Sequence, residues 1–108
     1  ISTDLHTDNI KGPVWDLSLT MSKLKELGME LEHVIKAVTL NAADILKIDC
    51  YQNKFYNSKA RFTVFREEEC ELEVFDSNNN SLRLHNYLRP LKTIIGSKVI
   101  EADTRFKF

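Results

Sequence analysis

Glycine is scarce in this 108-residue chain, with three, and proline scarcer, with two. So little glycine excludes the Gly-rich loops that let a backbone approach phosphates closely, and no P-loop, dinucleotide fingerprint or Ser-based nucleophile elbow is present. The two cysteines, Cys50 and Cys70, stand twenty residues apart with no neighbouring Cys or His pair. That spacing excludes a metal knuckle and the disulfide framework of a small secreted domain, so two reduced thiols in a cytoplasmic setting are expected. Neither charge is in surplus: fifteen Lys and Arg stand against sixteen Asp and Glu, for a net charge of -1 and a pI near 6.3. Without a basic face the chain has nothing to neutralise a phosphate backbone, and nucleic acid is excluded as a partner. Apolar runs such as Ile94-Ile95 and Val99-Ile100 are short beside the ~20 residues of a membrane span, so no membrane partner is expected either. A basic-then-apolar leader is also missing, and the chain opens on Ile1 in place of Met, which reads as a segment of something longer.

What is present falls into two halves. From Gly12 to about Ile48 apolar residues recur at helical spacing: Val14, Leu17, Met21 and Leu24, widened by Trp15, Leu19 and Leu27. Pro13 suits a first helical turn and Gly28 a left-handed stop, predicting a helix over about 13–27. Leu31, Val34, Ile35 and Val38 predict a second, and Asn41 with Asp44 three residues on predicts a cap for a short third reaching Leu46. From Ala60 the period becomes two. Phe62-Val64, Cys70-Leu72-Val74 and Leu82-Leu84 alternate with polar neighbours, as half-buried antiparallel strands do. Asp76–Ser81 is a turn composition, and Gly96-Ser97 fits a two-residue hairpin turn with glycine first. Four or five strands are expected, with 49–59 as a connection and Ala102–Phe108 free to fray. Helices first and strands second make the chain α+β, or two partial modules of a larger protein.

Few residues could carry chemistry. Ile1–His6 is a short extended stretch leading through a polar loop, Thr7–Gly12, into a helix, and Asp4 stands where barrel enzymes place catalytic carboxylates. Such an aspartate is also an ordinary turn or cap residue. His6, His33 and His85 are too dispersed to form a zinc pair, and His33 and His85 read as surface histidines. Glu67-Glu68-Glu69-Cys70-Glu71 reads as a solvated turn at a strand connection. Trp15 and Met21 read as core.

The run Ile1-Ser2-Thr3-Asp4-Leu5-His6, then Asn9, Gly12-Pro13-Val14, Asp16-Leu17, Thr20-Met21-Ser22-Lys23, Leu27-Gly28-Met29, Val34-Ile35, Ala37, Thr39, Asn41 and Ala43, resembles one family. It is the dihydroorotase-like amidohydrolase or deacetylase branch of the amidohydrolase superfamily. The likeness is dense over about residues 1–46. It implies the C-terminal end of a (β/α)8 TIM barrel at 1–48, the connection at 49–59, and at 60–108 the C-terminal part of a small composite β-sandwich domain. It implies hydrolysis of a cyclic or N-acyl amide C–N bond in a small molecule through metal-bound hydroxide, with zinc as the divalent metal. Asp4 would be both metal ligand and general base, and His6, Asn9, Gly12 and Pro13 would border the substrate. The resemblance leaves room for a homo-oligomer.

Two departures accompany it. The family's Gly-x-Leu-x-x-Gly-x-x-Ala-Asp approach to the β-domain has no counterpart in Tyr51–Arg61, which lacks both glycines and carries Arg61 at the usual aspartate. The His-x-His pair, the carboxylated lysine and the two further histidines that complete the metal site are absent from the sequence. One aspartate cannot hold a catalytic metal. The chain alone is therefore expected to be inactive, as an enzyme segment or as a non-catalytic α+β module that binds a partner through exposed helix faces.

Overall fold

The computed structural model describes residues 1–48, 61–103 and 106–108. Three helices, α1 (Leu17–Glu26), α2 (Leu31–Val38) and α3 (Leu40–Ile45), precede three strands, β1 (Arg61–Phe75), β2 (Ser81–Ile95) and β3 (Lys98–Glu101). The strands form one antiparallel sheet in the order β1-β2-β3. This is the small α+β arrangement that the change of period predicts.

Helix α1 starts later than Pro13 suggests. Asp16 is the N-cap, and its Oδ1 accepts a hydrogen bond from Leu19 N at 2.7 Å. That carboxylate satisfies an amide the first turn would otherwise leave free, so the helix begins after Asp16 and Pro13 stays in the preceding turn. The end is as expected. Gly28 takes a φ of +105°, Gly28 N bonds Lys25 O at 3.0 Å and Met29 N bonds Leu24 O at 3.1 Å, the paired closure of a Schellman motif.

The face that α1 buries differs from the apolar stripe. Leu19 and Ser22 are fully buried, whereas Leu17 and Leu27 are 40% and 69% exposed. Leu19 enters a core cluster with Val74, Leu84 and Tyr87. The rest of the docking face is polar. Ser22 Oγ donates to Ser18 O at 2.7 Å and accepts from Leu88 N at 2.9 Å, while Lys23 Nζ donates to Phe75 O at 2.8 Å. Burial pushes the Lys23 ammonium below its ordinary pKa, and Asp76 partly opposes that. A hydrophobicity pattern cannot mark a seam made this way. Ser22→Ala would leave the buried Leu88 amide without its acceptor, and a loss of about 1–3 kcal/mol is expected in urea unfolding.

In α3, Asn41 lies inside the helix instead of capping it, and Thr39 at the N-cap makes no side-chain cap bond. The Thr39 hydroxyl is already committed to Ile35 O at 2.7 Å. The connection at 49–59 and Cys50 lie outside the described residues; Cys70 is a free, half-buried thiol.

Among the described residues the sheet has two long strands and one short one where four or five were expected. β1 and β2 pair along their length through register shifts at Val64/Phe65 and Glu69/Leu72. Bulges of this kind let a long hairpin bend without breaking its pairing. Pro90, which has no amide hydrogen to give, sits opposite Phe65 beside the first of them. The acidic run is therefore not a turn. Glu67, Glu68 and Glu69 lie in β1 opposite Leu88, Tyr87 and Asn86. Arg89 Nε at 2.6 Å and Arg66 Nη2 at 2.9 Å hold the Glu68 carboxyl below the usual carboxylate range, the Arg89 bond having the larger effect.

The two turns are as expected. Asp76 Oδ1 accepts from Asn78 N and Asn80 N at 2.8 and 2.9 Å, with Asn79 at a φ of +62°. Gly96, at a φ of +61°, opens the two-residue link between β2 and β3. The C-terminal tail is anchored where fraying was expected. Ala102 N bonds Leu91 O at 2.9 Å, and the rings of Phe106 and Phe108 meet Tyr87 edge to face at 5.6 and 5.7 Å. Aromatic area against a fully buried Tyr87 outweighs the entropy of a short tail.

Candidate functional site

Residues 1–6 have no regular secondary structure, and the Ile1 nitrogen donates to Ala37 O at 2.9 Å, which ties this stretch to α2. Asp4 is exposed and takes a φ of +52°, the left-handed region that few non-glycine residues occupy. The loop beyond it is closed by Asn9. Asn9 Oδ1 accepts from His6 N at 2.8 Å, Nδ2 donates to Asp4 O at 2.9 Å, and Asn9 N donates to His6 O at 3.1 Å. His6 Nδ1 in turn accepts from Asp8 N at 3.2 Å. Of the residues singled out in the sequence, Asp4, His6 and Asn9 are thus one hydrogen-bonded unit.

Gly12 and Pro13 belong elsewhere. They line a cleft of about 310 Å³ with Trp15, Val74, Phe75 and Phe106, between the loop and the β1–β2 hairpin. Gly12 has a φ of +120°, and a Cβ there would meet Trp15 Cζ2 at 3.0 Å, so the close approach of the indole requires glycine.

The other histidines are separate. His33 on α2 lies 4.0 Å from Glu30, with both side chains exposed. His85 is on the surface of β2 as expected, but it also joins the two halves of the chain: Glu26 Oε1 lies 2.7 Å from His85 Nδ1, and Oε2 accepts from His85 N at 3.0 Å. The His85 bonds hold Glu26 below its ordinary 4.5, and the Glu26 side-chain bond raises His85 above its ordinary 6.5. The depressed carboxyl contributes stability above about its unfolded pKa and loses it as pH falls through the lower folded value. The raised imidazole contributes below its unfolded pKa and loses that as pH rises through the higher folded value. The pair is therefore strongest between about pH 4.5 and 6.5. Glu26→Gln is expected to flatten the dependence of Tm on pH on both sides of that window, as read by thermal melts from pH 3.5 to 8.5.

Among the described residues no group of three or more His, Cys, Asp and Glu is placed to hold a metal ion. Among the described residues the donors do not fit a complete metal site. Asp4 offers a single carboxylate. No described helix is long and apolar enough to cross a membrane.

Comparison with known proteins supplies the relationship. No protein-family model matches. A deacetylase of Brucella anthropi is 41% identical over 103 residues, covering 95% of this chain and 26% of that protein. A deacetylase of Agrobacterium fabrum is also 41% identical, with 95% and 25% covered. Among solved structures, a dihydroorotase superposes with a TM-score of 0.85 at 40% identity over 93% of this chain and 27% of its own, and an adenine deaminase with 0.83 at 31% over 94% and 28%. This chain spans about a quarter of the length of the curated relatives it matches. In sequence and in fold the chain is similar over most of its length to these deacetylases, to the dihydroorotase and to the adenine deaminase, proteins of the amidohydrolase fold, and it matches a segment of each.

Proposed function

We propose that this segment works within a longer amidohydrolase that hydrolyses the C–N bond of a small-molecule amide, cyclic or N-acylated, and that it contributes the carboxylate of Asp4. In this reading 1–48 closes a (β/α)8 barrel, 60–108 belongs to the small β-domain, and Asp4 accepts a proton from the attacking water and returns it to the departing nitrogen. Asp4 would also give one ligand to a divalent metal, zinc by the family resemblance, the other ligands coming from elsewhere in the longer enzyme. Such a metal lowers the pKa of bound water towards neutrality.

The observation that carries this reading is the likeness to deacetylases over 95% of the chain, together with Asp4 exposed at the head of a hydrogen-bonded loop. Exposed apolar surface supports it. Among the described residues Leu17, Leu27, Ile45, Leu46 and Val99 are 40 to 79% exposed, side chains that the body of a larger protein would cover.

The test is to express the longer polypeptide that carries residues 1–108 and assay it with dihydroorotate and a panel of N-acetyl amino acids. Turnover by that polypeptide and none by residues 1–108 alone is the expected result. Undiminished turnover by the short chain would overturn the reading, as would a longer polypeptide that hydrolyses none of these probes.

A further inference from the structure

Among the described residues, what orients Asp4 acts through its main chain. Among the described residues its carboxylate has no hydrogen bond or ion pair, while its backbone is held at a φ of +52°. The holding group comes from five positions further on. The amide side chain of Asn9 takes the Asp4 carbonyl at 2.9 Å with Nδ2 and the His6 amide at 2.8 Å with Oδ1. Its own backbone amide and carbonyl engage His6 O at 3.1 Å and Gly12 N at 2.9 Å. The Ser2 hydroxyl adds only a long contact, 3.3 Å from Asp4 N. Both ends of the Asn9 amide are thus spent on the peptides that flank Leu5, not on the open face of the loop.

A left-handed aspartate reverts to negative φ unless its surroundings prevent it. Reversion at position 4 would swing its carboxylate to a different side of the loop. Resting on the reading of Asp4 as the catalytic carboxylate, we propose that Asn9 is a positioning residue that locks the Asp4–His6 backbone and so aims that carboxylate, without touching substrate. The family resemblance implies that Asn9 borders the substrate; in this proposal it holds the loop instead.

The first readout is spectroscopic. In the longer polypeptide, labelled selectively for these residues, the Asp4 amide-to-Hα coupling and the intraresidue nuclear Overhauser effect report the sign of φ, and the β1–β2 hairpin resonances report the fold. Asn9→Ala is expected to move Asp4 to negative φ and expose the His6 amide to rapid exchange, with the hairpin unchanged. Asn9→Asp keeps the acceptor for His6 N and is expected to give a smaller change; if Asn9→Ala loses the hairpin signals, Asn9→Asp decides by the same criterion. The second readout is kinetic, in the longer enzyme with dihydroorotate and N-acetyl amino acids as probes. Asn9→Ala should lower kcat by about 10- to 100-fold with KM unchanged, the scale on which misplacement of a reacting group acts. Asp4 remaining left-handed in a folded Asn9 variant would overturn the proposal, as would a raised KM at unchanged kcat, which would put Asn9 on the substrate. The underlying reading fails separately: full activity of Asp4→Asn removes Asp4 from catalysis, whereas an inactive Asp4→Asn beside an unmoved Asp4 in Asn9→Ala sinks only the role of Asn9.

Discussion

Asp4→Asn in the longer enzyme is expected to lower kcat by about 10²- to 10⁴-fold, the usual worth of a positioned general base. The substitution isolates chemistry from structure unusually well. Asparagine tolerates the left-handed region as readily as aspartate, so the φ of +52° can persist. The bond from Asn9 Nδ2 goes to the main-chain oxygen at position 4, which the change leaves in place. What is lost is a negative charge and a site for a proton. Steady-state kinetics with the probe the wild type turns over, together with an unshifted melting temperature, is the check. Retained activity would return Asp4 to the status of an ordinary turn residue.

The largest effect on stability is expected at Tyr87. Its side chain is fully buried in the cluster with Leu19, Val74 and Leu84, and it receives the edges of Phe106 and Phe108. The Arg89 guanidinium lies 5.4 Å from its ring centre and 5.2 Å from that of Phe108, so strand, tail and cation share one aromatic platform. Tyr87→Ala removes that platform and leaves a cavity which the hairpin cannot close, at a cost of about 3–5 kcal/mol. Against a total of about 5–15 kcal/mol for a small domain, this approaches complete unfolding. Denaturant titration of the chain followed by circular dichroism measures it. A change below about 1 kcal/mol would mean the site collapses freely and the core lies elsewhere.

How far the sequence disclosed this can be followed residue by residue. The order of helices and strands, the glycine stop at Gly28 and both hairpin turns were legible, because each depends on local chemistry: a positive φ, an Asx turn or a change of period. The start of α1 was misjudged because Pro13 and Asp16 both suit a helix start, and the cap bond from Asp16 decided between them. Strand number was overcounted because bulges carry no sequence signal strong enough to separate them from chain reversals. The acidic run beside them has the composition of a solvated turn, and its place in β1 depends on pairing with β2 and on Arg89 and Arg66 bonding Glu68. The face of α1 was misread for a related reason. Ser22, Lys23 and Glu26 bind the hairpin through hydrogen bonds, and partners 52 to 66 residues away cannot be inferred from helical spacing.

For the candidate site, Asp4, His6 and Asn9 were singled out together and the structure joins them, while Gly12 and Pro13 turn towards a different cleft. Position in the chain could suggest that these residues share a loop. It could not show that the Asn9 side chain bonds the Asp4 carbonyl and the His6 amide.

The most direct measurement is the mass of the native polypeptide that contains residues 1–108, read by intact-protein and peptide-mapping mass spectrometry from its natural source. A polypeptide about four times the length of this segment, like the relatives it matches, is the predicted result. A native product of 12.5 kDa that begins at Ile1 would contradict the assignment of Asp4 to an amidohydrolase active site.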